Sequence, residues 1–172
     1  MKRSAFTLVE LIVSIVILSI LMLFLYKSYA SLNRSNRVFS QEVKEIARVE
    51  KIKKALYLDL TTAKEKSVKI YNQSRDIDVF YMQSGYSLHK RVNPYVAYVV
   101  KDKKLYRLES LRAFQEYPFG ADSQFIVEYL GDVKIFRLYK SKVKSEEVYL
   151  LHLLFEGKEK ILLKVKVFGG GV

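Results

Sequence analysis

Residues 6–26, FTLVELIVSIVILSILMLFLY, decide how the rest of the chain is read. The stretch holds one charge, Glu10, and residues 11–26 hold none. It contains no Gly or Pro to interrupt a helix. As a helix it rises about 31 Å, the thickness of a bilayer's hydrocarbon core. Lys2 and Arg3 precede it, and Tyr26 and Lys27 close it with side chains suited to the membrane interface. The expectation is a single membrane-spanning helix. Charge counting does not orient it, because Lys2 and Arg3 precede the span but Lys27, Arg34 and Arg37 follow it closely.

Downstream of the span the helical period continues. Phe39, Val43, Ile46, Val49, Ile52, Leu56, Leu60 and Ala63 follow one another at steps of three or four, with Lys, Arg, Glu, Gln and Ser between them. No Gly or Pro falls between residues 6 and 66, so one continuous helix is expected over 6–66, apolar all round at first and amphipathic over 27–66. From about residue 68 the period becomes two. Strands are expected at 79–82, 95–100, 104–108, 124–130, 133–139, 148–155 and 161–168, all rich in Val, Ile, Tyr, Phe and Leu. Turns are read at 101–103, at Gly131-Asp132 and at 156–159, and residues 109–122 read as a longer loop. The last three strands suggest an antiparallel meander covered by the amphipathic half of the helix. The fold class is therefore α+β.

Composition excludes several kinds of chemistry. The chain has 172 residues, room for one ordinary domain beside the helix, and it contains no cysteine. Disulfides, Cys-ligated metals and thiol catalysis are ruled out. The two histidines, His89 and His152, occur in no metal-binding spacing, and His152 reads as a strand residue. Asn72, Asp76 and Asp78 lack the glycine and closing glutamate of a calcium loop and read as surface acids. No nucleophile motif or phosphate-binding loop occurs, so neither enzymatic activity nor a cofactor is expected. A formal net charge of +12 favours anionic partners. Thirteen tyrosines among basic strands allow a stacking face for single-stranded nucleic acid, although tyrosine is also a good strand residue.

The N-terminal letters Lys2-Arg3-Ser4-Ala5-Phe6-Thr7-Leu8-Val9-Glu10 admit three readings. Thr7-x-x-Glu10 fits a helix capping box. A basic start, an apolar run and Ser28-Tyr29-Ala30 fit a secretory signal peptide cut after Ala30, but the apolar run exceeds the usual length of about 7–15 residues. Finally, an acid at the edge of lipid is costly enough to mark a charged partner.

This segment resembles the prepilin pattern of type IV pilins and type II secretion pseudopilins: a short basic leader, a small residue, Phe-Thr-Leu-Val-Glu-Leu and an unbroken apolar helix. The resemblance is specific over residues 2–26, and the helix-then-sheet layout extends it over the chain. Ala5 stands where glycine is usual, the helix-kinking proline of many major pilins is missing, and so is a C-terminal cysteine pair. Leu56-Tyr57-Leu58-Asp59-Leu60-Thr61-Thr62-Ala63 is further similar to the L-x-x-D-L-x-x-A helix end of J-type minor pseudopilins, and Val96-Ala97-Tyr98 through Leu105-Tyr106-Arg107-Leu108 to their hairpin. Glu10 leans against the tip-most K-type subunit, which typically lacks that acid.

The resemblance implies a pilin-like fold with residues 1–5 as leader, 6–26 as transmembrane helix, 27–66 as its amphipathic continuation and 67–172 as a periplasmic β-sheet domain. It implies leader cleavage between Ala5 and Phe6 by a prepilin peptidase, N-methylation of Phe6 and charge pairing by Glu10 during assembly. Other pilins or pseudopilins and an inner-membrane assembly platform would be the partners of a minor pseudopilin in a periplasmic filament. Alternatives are a DNA-binding minor pilin of an uptake machine and a secreted β protein with an ordinary signal peptide.

Overall fold

In the computed structural model, residues 7–64, 66–115, 117–119, 124–143, 146–157 and 159–168 are described. A single helix, α1 (Leu8–Thr61), precedes seven strands: β1 (Lys69–Asn72), β2 (Asp78–Gln83), β3 (Tyr95–Lys101), β4 (Lys104–Ser110), β5 (Ile126–Val143), β6 (Glu146–Phe155) and β7 (Lys160–Lys166). The strands form one antiparallel sheet in chain order, so the expected three-stranded meander is part of a seven-stranded one. The architecture is α+β and pilin-like, as expected.

The chain divides into two compact units, Met1–Arg48 and Val49–Val172. The last turns of α1 thus belong with the sheet, and the β-rich unit begins at Val49 rather than at residue 67. In the first unit the apolar side chains from Leu8 through Tyr26 are all exposed. The stripe expected to pack on the sheet does so only in part. Ile52, Leu56 and Leu60 are buried, whereas Phe39, Val43 and Ile46 are exposed. At 3.6 residues per turn, the first three lie roughly 100° around the helix from the second three, so steps of three and four did not define one face.

The helix stops at Thr61, about five residues before the expected end. No backbone breaker is needed, because its last carbonyls are taken by the sheet: Phe168 N–H donates to the Thr61 carbonyl (3.1 Å) and Gly85 N–H to that of Thr62 (3.0 Å). Around this end the core assembles from Ile52, Leu56 and Leu60 with Phe80, Tyr98, Phe136, Tyr149 and Leu151. The rings of Phe80 and Phe136 stack at 5.2 Å.

Two differences from the expected strands have local causes. Gly131-Asp132 is not a turn. Gly131 takes φ 148°, a value open to glycine, and the register slips between Leu105 and Tyr106 and again between Val133 and Ile135. These bulges bend one 18-residue strand instead of ending it. The bend brings Phe136 beside Ile77, and Leu138 N–H donates to Asp78 Oδ2 at 2.9 Å. Asp78 is therefore a buried strand residue and not the surface acid of the sequence reading. β1, which the sequence reading missed, is short and mostly exposed, with little periodic signal to find. The β3–β4 turn is tight, with Asp102 and Lys103 both at positive φ (50° and 62°) and Lys101 paired with Lys104.

Residues beyond Ser110 fold an aromatic cover over the outer side of β1 and β2. Phe114 and Phe119 both meet the Tyr81 ring, at 6.2 and 5.7 Å, and Tyr117 meets Tyr71 at 5.1 Å. These tyrosines pack against one another's neighbours, and Tyr98 and Tyr149 are buried. Tyr81 and Tyr117 are half-buried, whereas Tyr71, Tyr129 and Tyr139 remain exposed.

Candidate functional site: the N-terminal end of the apolar helix

Thr7 caps α1. Its hydroxyl accepts from Glu10 N–H (3.4 Å), while its own N–H and hydroxyl both donate to Glu10 Oε2 (2.9 Å each). This reciprocal arrangement is a capping box, satisfying backbone donors that a helix start leaves open. It answers the first of the three readings of this segment and leaves the third intact. Both bonds go to Oε2, and Oε1 accepts none from any described residue. One carboxylate oxygen thus holds the helix start while the other faces outward.

Ser14 and Ser19, the polar side chains within the span, donate to the carbonyls of Glu10 (2.7 Å) and Ile15 (2.8 Å). Their hydroxyls need no water, which suits them to lipid. The helix has a window of mean hydropathy 2.9 with nothing buried against protein, and is long and apolar enough to cross a membrane. Of the residues implicated in processing, Ala5 and Phe6 lie outside the described residues. Thr7 and Glu10 are brought together as above.

A second polar cluster sits in the β-rich unit, and sequence reasoning missed it. Arg107 on β4 grips Asp59 on α1 with two bonds, Nε to Oδ2 at 2.8 Å and Nη2 to Oδ1 at 3.1 Å. Its Nη1 donates to Glu109 at 2.6 Å. The Tyr98 hydroxyl (2.6 Å) and Ser84 hydroxyl (3.0 Å) complete the shell of Asp59, and the Ser87 hydroxyl (2.6 Å) and Leu88 N–H (3.2 Å) that of Glu109. Arg107, Asp59 and Glu109 are all buried.

Burial pushes the Asp59 carboxyl up, against the pull of Arg107, Tyr98 and Ser84. Burial also raises Tyr98, with the Asp59 charge adding to it. For Glu109 burial acts upward too, but the bonds from Ser87 and Arg107 win and its pKa is lowered. Burial disfavours the Arg107 charge, yet the two carboxylates overcome it and raise its pKa. Such a group is held in place by its own hydrogen bonds. It fastens the helix end to β3, β4 and the 84–88 segment. The sequence signal was present: a lone acid within Leu56, Asp59, Leu60 and Ala63, all buried, and an arginine sharing the inward face of β4 with Leu105 and Glu109.

His89 lies in the segment after β2, and His152 lies on β6 opposite Arg137 and Leu162. No group of three or more metal-ligating side chains occurs among the described residues.

Residues 1–26 match the family model for the prokaryotic N-terminal methylation motif, which is typical of type IV pilins and pseudopilins. The chain thus carries a prepilin-type N-terminus on a helix fit for membrane anchoring. No curated protein matches the chain.

Proposed function

We propose that this chain is a structural, non-enzymatic subunit of a type II secretion or type IV pilus-like filament, held in the inner membrane by residues 6–26 with its β-rich unit in the periplasm. The observation that carries this reading is the methylation motif seated on a bare apolar helix whose start is capped by Thr7 and Glu10. A prepilin peptidase cleaves between Ala5 and Phe6, and the new amine on Phe6 receives one methyl group. Within that class a minor pseudopilin of J type is favoured, on the helix end that carries Asp59 and the strand that carries Arg107.

Glu10 then has two tasks. Before assembly its Oε2 holds the helix start. In the filament the carboxylate meets the positive amine on Phe6 of a neighbouring subunit. Opposite charges attract far more strongly at the edge of lipid than in water, and either one left unpaired there is penalised. Glu10→Gln separates the tasks, because glutamine closes a capping box but carries no charge. The variant is expected to insert and be cleaved normally yet to lose co-assembly in a membrane crosslinking assay. Wild-type co-assembly would reduce Glu10 to a cap.

A further inference from the structure

Lys27, Arg34 and Arg37 follow the apolar span at close range, and no acid lies between Glu10 and Glu42 to offset them. All three belong to α1 and are exposed. None of them has a hydrogen bond or ion pair with another described residue. At about 100° per residue, Arg34 lies roughly 20° around the helix from Lys27 and Arg37 roughly 80°, so the three cations share one side. Glu42, the next acid, stands about 140° around the helix from Arg37 and 7–8 Å further along it, out of reach. Glu45 is held by Arg48 at 3.1 Å.

The heights of these cations match a lipid surface. With Tyr26 at the edge of the hydrocarbon, Lys27 stands about 1.5 Å beyond that edge, Arg34 about 12 Å and Arg37 about 16 Å. A long side chain on a helix covers the turn N-terminal to its own Cα, which here is the membrane side. One turn, about 5 Å, brings the Arg34 guanidinium to roughly 7 Å from the hydrocarbon. A headgroup layer is about 5–7 Å deep, so Lys27 lies within it and Arg34 reaches its outer limit. Arg37 comes to roughly 11 Å, less than one Debye length of about 8–10 Å from that layer.

We infer that Lys27, Arg34 and Arg37 form a basic collar that binds the anionic phospholipid headgroups of the leaflet from which α1 emerges. The planar guanidinium groups of Arg34 and Arg37 suit phosphate oxygens, and the Lys27 ammonium serves as a point charge beside them. Each cation near such a surface contributes about fivefold, so three together select anionic over zwitterionic lipid. The inference rests on residues 6–26 spanning the membrane and deepens that reading by naming what holds the emerging end. Loss of residues 1–5 would take Lys2 and Arg3 with it. The collar would then supply the side-chain cations of this unit nearest the span, and it would set the depth of the helix from that side.

The chain's lack of cysteine allows a clean test. Full-length Ser31→Cys, labelled with a fluorescent donor among the three cations, is reconstituted at one chain per nanodisc of mixed phosphatidylcholine and phosphatidylglycerol. An acceptor is carried on the acyl chain of one lipid or of the other. Energy transfer to phosphatidylglycerol should exceed transfer to phosphatidylcholine by at least about twofold at low salt. The excess should fall to parity in about 0.5 M salt, and also when Lys27→Gln, Arg34→Gln and Arg37→Gln are combined. Equal transfer to the two lipids at low salt would overturn the inference and leave these cations for carboxylates of a neighbouring subunit. So would an excess that survives the triple substitution, which would move the anionic contact to the lysines of the β-rich unit. Leu18→Cys, made with and without the triple substitution, separates the collar from the span it rests on. If its thiol is shielded from an aqueous maleimide while the lipid preference is absent, the collar fails and the spanning reading stands. A thiol that reacts freely ends both.

Discussion

Residues 8–48 and residues 49–168 spend the same kinds of side chain in opposite ways. In the first region Leu, Ile, Val and Phe cover a bare helix and touch almost nothing within the chain. In the second they close around the helix end, and Arg107 is hydrogen-bonded to both buried carboxylates, Asp59 and Glu109. An isolated apolar helix gains its stability from what surrounds it, whether lipid or another subunit, whereas the β-rich unit carries its own core. Substitutions should therefore act on different observables in the two regions. Changes in the second should alter stability, and changes in the first should alter insertion or assembly.

The largest stability effect is expected from Arg107→Met, which leaves Asp59 and Glu109 buried without their cation. Breaking a buried pair in this way costs about 3–5 kcal/mol. Thermal melting of the full chain in detergent, followed by the β signal in circular dichroism, should show a large fall. A change under ~1 kcal/mol would mean that water reaches the cluster. The comparison would break in another manner if Ile17→Ala, in the apolar stretch, lowered the same melting point, because that side chain is exposed.

Leu56→Ala follows, at about 2–5 kcal/mol for a fully buried leucine. Phe39→Ala, on the same helix but exposed, should stay within about 0.5 kcal/mol in the same measurement. Equal costs for the two would erase the boundary at Val49.

The pH dependence sharpens the description of the cluster. Glu109 has a lowered folded pKa, so its contribution is fully present above its ordinary value of 4.5 and is lost as pH falls through the lowered value. Asp59 is shifted the other way, so its ionisation weakens folding as pH rises through its raised value. Glu109→Gln should flatten the acid side of the stability profile. A profile as steep as wild type would assign the acid sensitivity elsewhere.

The smallest expected effect is a gain. Lys103 sits at φ 62° in the two-residue β3–β4 turn, where glycine is unstrained. Relief of the left-handed conformation, about 1–2 kcal/mol, exceeds the unfolded-state entropy that glycine adds, about 0.4–1 kcal/mol. Lys103→Gly should therefore stabilise by up to ~1 kcal/mol, less whatever its exposed contact with Glu156 contributes. A loss would show that this contact matters more than the backbone.

Legibility in the sequence divides along similar lines. The apolar span, the Thr7–Glu10 pair and most strands are local patterns, readable from residues a few positions apart. The elements that escape are those decided at a distance. Thr61 ends the helix because Phe168 and Gly85 arrive from elsewhere to take its last carbonyls. Gly131-Asp132 looks like a turn but bends a strand, because there β5 passes from pairing with β4, which ends with Lys104 opposite Asp132, to pairing with β6, which ends with Phe155 opposite Val133. Asp59 and Arg107 lie 48 positions apart, and only the fold makes one the counter-ion of the other. The helical stripe misleads for a simpler reason: steps of three and four add up to a drift, and by Ile52 the face has turned away from Phe39.

The central claim concerns the other end of the molecule, where the chain carries a prepilin-type N-terminus on a helix long and apolar enough to cross a membrane. Intact-mass analysis of the protein extracted from membranes tests it most directly. A mature form beginning at Phe6, lighter by residues 1–5 and heavier by one methyl group, is the expected result. A form beginning at Ser31, or one that retains Lys2 and Arg3, would contradict it.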